Sequence, residues 1–189
     1  LEAAGVQVIE TDLGEYILQL AHEPPSHIVA PAVHKSKEQV ADLFVAAHGK
    51  PRLTEISAMT REAREELRGH FLTADMGISG SNFVIAETGT TLTVTNEGNA
   101  DMVTTIPRIH VVITGIEKVI GTFEDFASLI RLLPRSAIGQ TITNYLTLTT
   151  GLKMPGDVDG PEQMHIVLVD AGRTKLVGGP MQEMLRCIR

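Results

Sequence analysis

Residues 109–134 read IHVVITGIEKVIGTFEDFASLIRLLP. The opening IHVVITG (109–115) is a β-branched run with no alternation of polar and apolar residues, the composition of a strand buried on both faces. TFEDFASLIRLLP (122–134) then starts with Thr122 as a helix N-cap and Asp125 three positions later. It repeats Phe126, Leu129, Ile130 and Leu133 on one face, and the expected stop is Pro134. A buried strand feeding an amphipathic helix is the repeating unit of α/β domains.

The same alternation extends in both directions. Upstream, GVQVIETD (5–12) is a short β-branched run, EYILQLA (15–21) a brief helix and HIVAP (27–31) strand-like. SKEQVADLFVAA (36–47) carries a capping box, Ser36 and Gln39, followed by Val40, Leu43, Phe44 and Ala47 at helical spacing. TREAREELRGHFL (60–72) is a helix with a charged outer face, and NFVIAETGTTLTVTN (82–96) holds two β-rich runs around Thr88 and Gly89. Downstream, MHIVLVDAG (164–172) is a last buried-type strand, and PMQEMLRCI (180–188) puts Met181, Met184, Leu185 and Ile188 on one face. The sum is an α/β fold with a mixed, largely parallel sheet flanked by helices, antiparallel in its middle. Both ends are abrupt and lack caps, so the chain is expected to be an excised piece of a longer protein.

Composition narrows the function classes. Of the 189 residues, 43% are hydrophobic and 21% charged, ordinary for a globular protein, and the formal charge is −7. With no basic stripe and no tryptophan, nucleic acid is not an expected partner. No apolar run approaches the ~18–20 residues of a membrane span, and LEAAGVQVIETD (1–12) shows no basic n-region of a secretory signal. A single cysteine, Cys187, excludes an internal disulfide and points to a reducing, cytoplasmic setting.

No phosphate-cradling G-x-x-x-x-G-K-[ST] occurs. GISGS (77–81) approximates a nucleophile elbow, but that motif needs glycine where Ser81 stands, and a Gly/Ser loop before a strand is the plainer reading. The seven histidines show no paired metal spacing. His22, His48 and His70 read as surface or helix-end residues, His110 and His165 as sheet histidines. The densest polar region is NFVIAETGTTLTVTNEGNADMVTTIP (82–107), with Glu87, Asn96, Glu97, Asn99 and Asp101 among glycines and threonines. Polar residues at strand ends suit a ligand site, and Gly89 and Gly98 permit close backbone approach. Two hairpin turns explain the same residues. In RSAIGQTITNY (135–145), Arg135 is suited to a carboxylate or phosphate, or else caps a loop.

IAETGTTLTVTNEGNADMVTTIPRIHVVITGIEKVIGTFEDFASLIRLLPRSAIGQ (85–140) closely resembles the LUD (lactate-utilisation) domain family, in the branch carried by iron–sulfur subunits. The likeness extends upstream through ETDLGEYILQL and HIVAPAVHKSKEQVADLF and downstream through MHIVLVDAGRT to MLRCIR. The resemblance implies a NagB/RpiA/CoA-transferase-like fold, with a LUD domain over residues 1–180 whose N-terminal unit is missing. Residues 181–189 would start a truncated ferredoxin-like segment. It implies a subunit of an oxidoreductase complex that converts L-lactate to pyruvate and passes electrons onward through 4Fe–4S clusters. Its expected partners are the other subunits of that complex and a small organic acid.

In the same resemblance MLRCIR runs into a C-x-x-C-x-x-C-type segment, which makes Cys187 the first 4Fe–4S ligand in the full-length protein. One thiolate holds no cluster, so no cofactor is expected in this fragment, which by itself is expected to be inactive. Analogy of fold with CoA transferases singles out Glu87 on its glycine turn as a nucleophile or general base, catalysing acyl- or CoA-transfer-like chemistry. The substrate-binding set is Thr88, Gly89, Asn96, Glu97, Gly98, Asn99 and Arg135. A non-catalytic scaffold or ligand-sensing domain is the alternative.

Overall fold

The structure, a computed structural model, describes residues 1–27, 30–95, 98–143 and 145–186. The chain divides into two compact units, residues 1–73 and 74–189.

The first unit is helical. Residues 5–12, the β-branched run, form no strand; Gln19 ties them down, donating from Nε2 to the Val8 carbonyl (2.8 Å) and accepting from the Glu10 N–H (3.0 Å). Helix α1 (Leu13–Ala21) starts at Asp12, whose side chain accepts from the Gly14 N–H. In HIVAP, residues 28 and 29 lie outside the described ones. Helix α2 (Lys37–His48) opens with the expected capping box: Gln39 N–H donates to Ser36 Oγ (3.3 Å) and Ser36 N–H to Gln39 Oε1 (2.8 Å). Helix α3 (Ile56–Thr73) follows, burying Met59, Glu62, Ala63, Leu67 and Phe71.

The buried stripe of α2 is not centred where hydrophobicity alone puts it. Ala41 and Phe44 are buried, Ala47 is exposed, and the His48 side chain is only 4% exposed. His48 is the middle of a polar chain linking all three helices, not the surface residue its helix-end position suggests. Its Nε2 lies 2.8 Å from the Tyr16 hydroxyl of α1 and its Nδ1 2.6 Å from Glu62 Oε1 of α3. Burial, with Glu66 and Glu62 near, pushes the Tyr16 hydroxyl above its ordinary pKa. The two ring nitrogens of His48 thus bridge the Tyr16 hydroxyl and the Glu62 carboxylate. Phe44 packs 4.8 Å from the imidazole, centroid to centroid, and helps exclude water.

The second unit holds seven strands, among the described residues, in two sheets. Strand β1 (Met76–Ser79) begins it, and residues 80–82 lead to β2 (Phe83–Ile85). A turn at residues 86–89 gives β3 (Thr90–Val94), then α4 (Asn99–Thr105) and β4 (Ile109–Gly115). Strand β5 (Val119–Ile120), α5 (Phe123–Leu129), α6 (Leu133–Ile138), β6 (Leu146–Thr149) and β7 (Gln163–Val169) complete it. One sheet is wholly parallel, ordered β1-β4-β7; the other is mixed, ordered β5-β2-β3-β6. The parallel and antiparallel pairings anticipated from sequence are both present, divided between two sheets.

The mixed sheet carries a hydrophobic core cluster: Phe83, Ile85 and Leu92 with Phe126 of α5 and Leu133 of α6. Thr122 and Asp125 form the expected capping box, but the helix breaks after Leu129. Pro134 does not stop it; it lies in the first turn of α6, where its missing N–H costs nothing. In the parallel sheet β4 buries His110, Val112 and Thr114 on the face that α4 covers. Among the described residues β7 pairs with β4 alone, and Val167 and Leu168, on its two faces, are 45% and 44% exposed where a buried strand was expected. Gly77 lets α4 settle directly on β1, since a Cβ there would stand 2.0 Å from the Val103 carbonyl oxygen. No helix among the described residues is long and apolar enough to cross a membrane.

The polar chain of the helical unit yields a sharp asymmetry between variants. His48→Leu strands the Glu62 carboxylate in an apolar site and is expected to cost about 3–5 kcal/mol. Tyr16→Phe removes one hydrogen bond and is expected to cost about 1 kcal/mol. Urea unfolding followed by circular dichroism measures both; equal losses would contradict the chain.

Candidate functional site

Gly115 of β4 and Val169 of β7 are paired and end together at one edge of their sheet, while β1 ends at Ser79, opposite Val112 and three residues short of that edge. Open α/β sheets bind ligands at this carboxyl edge. The short link 106–108 puts the last turn of α4 near the start of β4, and its first turn therefore lies toward the carboxyl edge.

A hydrogen-bonded hub occupies the exit of β1. Ser79 Oγ lies 2.9 Å from His110 Nε2, and Thr114 Oγ1 donates to the Ser81 carbonyl (3.1 Å). The Ser81 hydroxyl accepts from the Leu92 N–H (3.2 Å) and faces the Leu92 carbonyl (3.0 Å), while Asn82 Oδ1 accepts from the Val94 N–H (2.8 Å). GISGS is thus the last part of β1 and the crossover into the second sheet, with no elbow. His110 has no exposed surface, and its Nδ1 is buried without a partner. A bare buried N–H costs about 1–3 kcal/mol, more than a bare acceptor lone pair, so the ring proton belongs on Nε2 and donates to Ser79. His110 in this tautomer takes no proton from Ser79, which is therefore not an activated nucleophile here.

The residues singled out in the sequence fall at separate places. Glu87 and Thr88 are exposed on the β2–β3 turn; Glu87 N–H donates to the Gly121 carbonyl (3.1 Å) and Gly89 adopts φ 69°. Thr88 Oγ1 joins a hydroxyl chain through Thr90 (2.7 Å) to Thr150 (2.8 Å). Gly98, with φ 73°, precedes α4, and Asn99 Oδ1 accepts from Thr95 Oγ1 (3.3 Å). Asp101 accepts from the Thr147 hydroxyl. These two groups sit at opposite ends of the five residues of β3, ~17 Å of extended chain. Arg135 is exposed on α6. Asn96, Glu97 and Cys187 lie outside the described residues.

The carboxyl edge also gathers residues that sequence reading missed. Gly115 leads into a 3-10 turn, Ile116–Lys118, and the Glu117 carboxylate folds back over Gly115 so closely that a Cβ there would stand 2.3 Å from Oε2. Past β7, the Asp170 carboxylate is held below its ordinary pKa by hydrogen bonds from Thr174, first its N–H (2.7 Å), then its hydroxyl (2.8 Å). Ala171 takes the left-handed φ of 46°, uncommon outside glycine. Arg173 Nη1 donates to the Asp170 carbonyl (3.2 Å), and its Nε lies 2.7 Å from Glu117 Oε2. The signal for this pair was available: Glu117 lies two residues past the end of β4 and Arg173 four past the end of β7.

The LUD domain profile matches residues 2–169. The chain belongs to the LUD domain family. Among proteins named lactate utilization protein B, this LUD chain is 54% identical to that of Lysinibacillus sphaericus, matching 100% of the chain and 40% of the relative. The corresponding identities are 52% for Geobacillus kaustophilus and 48% for Bacillus subtilis, with the same coverage. The LUD chain therefore spans about two-fifths of the length of these relatives. A crystal structure of a DUF162 family protein from Deinococcus radiodurans matches 87% of this chain and 86% of its own, at 20% identity and a TM-score of 0.40.

Burial lowers the pKa of His110 below its ordinary 6.5. Below pH 6.5 the unfolded chain takes up a proton that folded His110 refuses. Stability is complete above that pH and falls as pH drops toward the folded pKa, at up to about 1.4 kcal/mol per unit. Urea unfolding between pH 8 and 5 compares the wild type with His110→Gln: the wild type is expected to lose stability relative to the variant as pH falls, and an identical pH dependence in the two would assign the effect to other groups.

Proposed function

We propose that this chain is the LUD-domain portion of an iron–sulfur subunit of a cytoplasmic L-lactate oxidation complex, which converts lactate to pyruvate and passes electrons onward. The observation that carries the reading is identity of 48–54% along the whole chain to proteins named lactate utilization protein B. The proposed partners are the other subunits of the complex and a small organic acid.

The donor set bears on the cluster. A 4Fe–4S cluster takes four cysteine thiolates, and this chain holds one cysteine. Among the described residues no group of three or more His, Cys, Asp or Glu side chains is placed to hold a metal. The residues of this chain do not by themselves fit a cluster. In the proposal Cys187 is the first ligand and the longer protein supplies the others.

The sequence-selected groups are proposed as ligand- or partner-contacting residues: Glu87, Thr88 and Gly89 at one end of β3, Asn96, Glu97, Gly98 and Asn99 at the other, and Arg135 on α6. Glu87 acting as a carboxylate nucleophile rests on fold analogy. The exposure of Glu87 and Arg135, and the length of β3 between the two turns, favour a second reading in which these residues dock partner subunits and the domain is a scaffold.

Two measurements test the proposal. Iron and acid-labile sulfide are determined on anaerobically purified full-length protein with and without Cys187→Ala; stoichiometric cluster that is lost or oxygen-labile in the variant is expected, and no cluster in either would contradict it. Asn99→Ala and Arg135→Ala are expected to lower lactate-dependent electron flow without unfolding the domain. Normal flow in both would remove those residues from the function.

A further inference from the structure

The parallel sheet is apolar on both faces, and the two faces are not equally covered. Helix α4 lies over the face that carries His110, Val112 and Thr114 of β4. Side chains alternate along a strand, and paired residues of neighbouring strands point the same way. The register therefore puts Ile109, Val111 and Ile113 on the opposite face, with Met76 and Ile78 of β1 and His165, Val167 and Val169 of β7 beside them.

That face is open to water. Ile78 is 41% exposed, Ile113 46% and Val167 45%, one residue from each strand, so the exposure belongs to the face and not to one edge. Met76 and Val169 extend it toward either end of the sheet. Wholly parallel sheets occur with helices on both faces, because apolar side chains on each side must leave water. An apolar patch that crosses three strands marks a contact surface. Among these register partners there is no acidic, lysine or arginine side chain; Gln163 and His165, near the amino end of β7, are the polar ones. Such a surface suits an apolar occupant and offers nothing to a charged one.

This chain spans 40% of the relatives it matches, so about three-fifths of such a protein lies outside residues 1–189. That remainder is tethered to the sheet, and a tether favours contact within one chain over contact between separate chains. We propose that an amphipathic helix from the part of the longer protein outside residues 1–189 packs across this face, its apolar side on Ile78, Ile113 and Val167. The proposal rests on the length of the relatives and not on the lactate reading.

Photocrosslinking in the full-length protein tests it, with a benzophenone photoprobe replacing Ile113 and, separately, Val167. Mass spectrometry is expected to find both probes joined to one peptide of the same chain outside residues 1–189, with apolar residues at helical spacing. Crosslinks to residues 1–73, to a second copy or to another protein, or no crosslink at either position, would each overturn it. Ile113→Asp gives a second reading. Under a packed helix the carboxylate is buried without a partner, and the denaturation temperature of the full-length protein is expected to fall by several degrees. On an open face the same change is tolerated, so an unchanged temperature would also overturn the proposal.

Discussion

The second unit is organised by one contact without slack. At Gly77 the backbone of β1 and the Val103 carbonyl of α4 approach so closely that a Cβ would stand 2.0 Å from the oxygen. A backbone carbonyl cannot swing aside as a flexible side chain does, so only glycine admits this seat for α4. The helix then closes over the buried face of β4 and seals His110 beneath it. His110 in turn fixes Ser79, and Thr114 fixes Ser81. These residues aim the chain out of the parallel sheet and into the mixed one. The exit of β1 takes its position from that seat, while β4 and β7 hold each other through seven paired residues.

Chemistry that acts within a few residues was legible in the sequence. The capping boxes at Ser36 and Gln39, and at Thr122 and Asp125, each satisfy their own orphan N–H groups, and both formed where the pattern placed them. Chemistry that depends on distant partners was not. Pro134 terminates or initiates a helix according to which side the chain continues on, and here it sits in the first turn of α6. His48 at a helix end looks solvent-bound until Tyr16 and Glu62 arrive from other helices. Strand β7 has the apolar run of an interior strand, but nothing local states that it will find only one neighbour.

The candidate site divides in the same way. Glycine turns are visible in sequence because glycine is, and Gly89 and Gly98 do adopt left-handed backbones. The two turns, read in sequence as one polar region, stand at opposite ends of β3. Glu117 and Arg173 are far apart in sequence and meet only because β4 and β7 are adjacent and parallel. Topology, more than residue type, assembles that part of the carboxyl edge.

The central claim is that the Gly77 seat holds the second unit together as one cooperative whole. Hydrogen–deuterium exchange, comparing the wild-type protein with Gly77→Ala, tests it most directly. The account predicts that protection falls together in α4, in β4 around His110, and in residues 81–94 of the mixed sheet. Loss confined to α4, with β4 and the mixed sheet as protected as before, would contradict it.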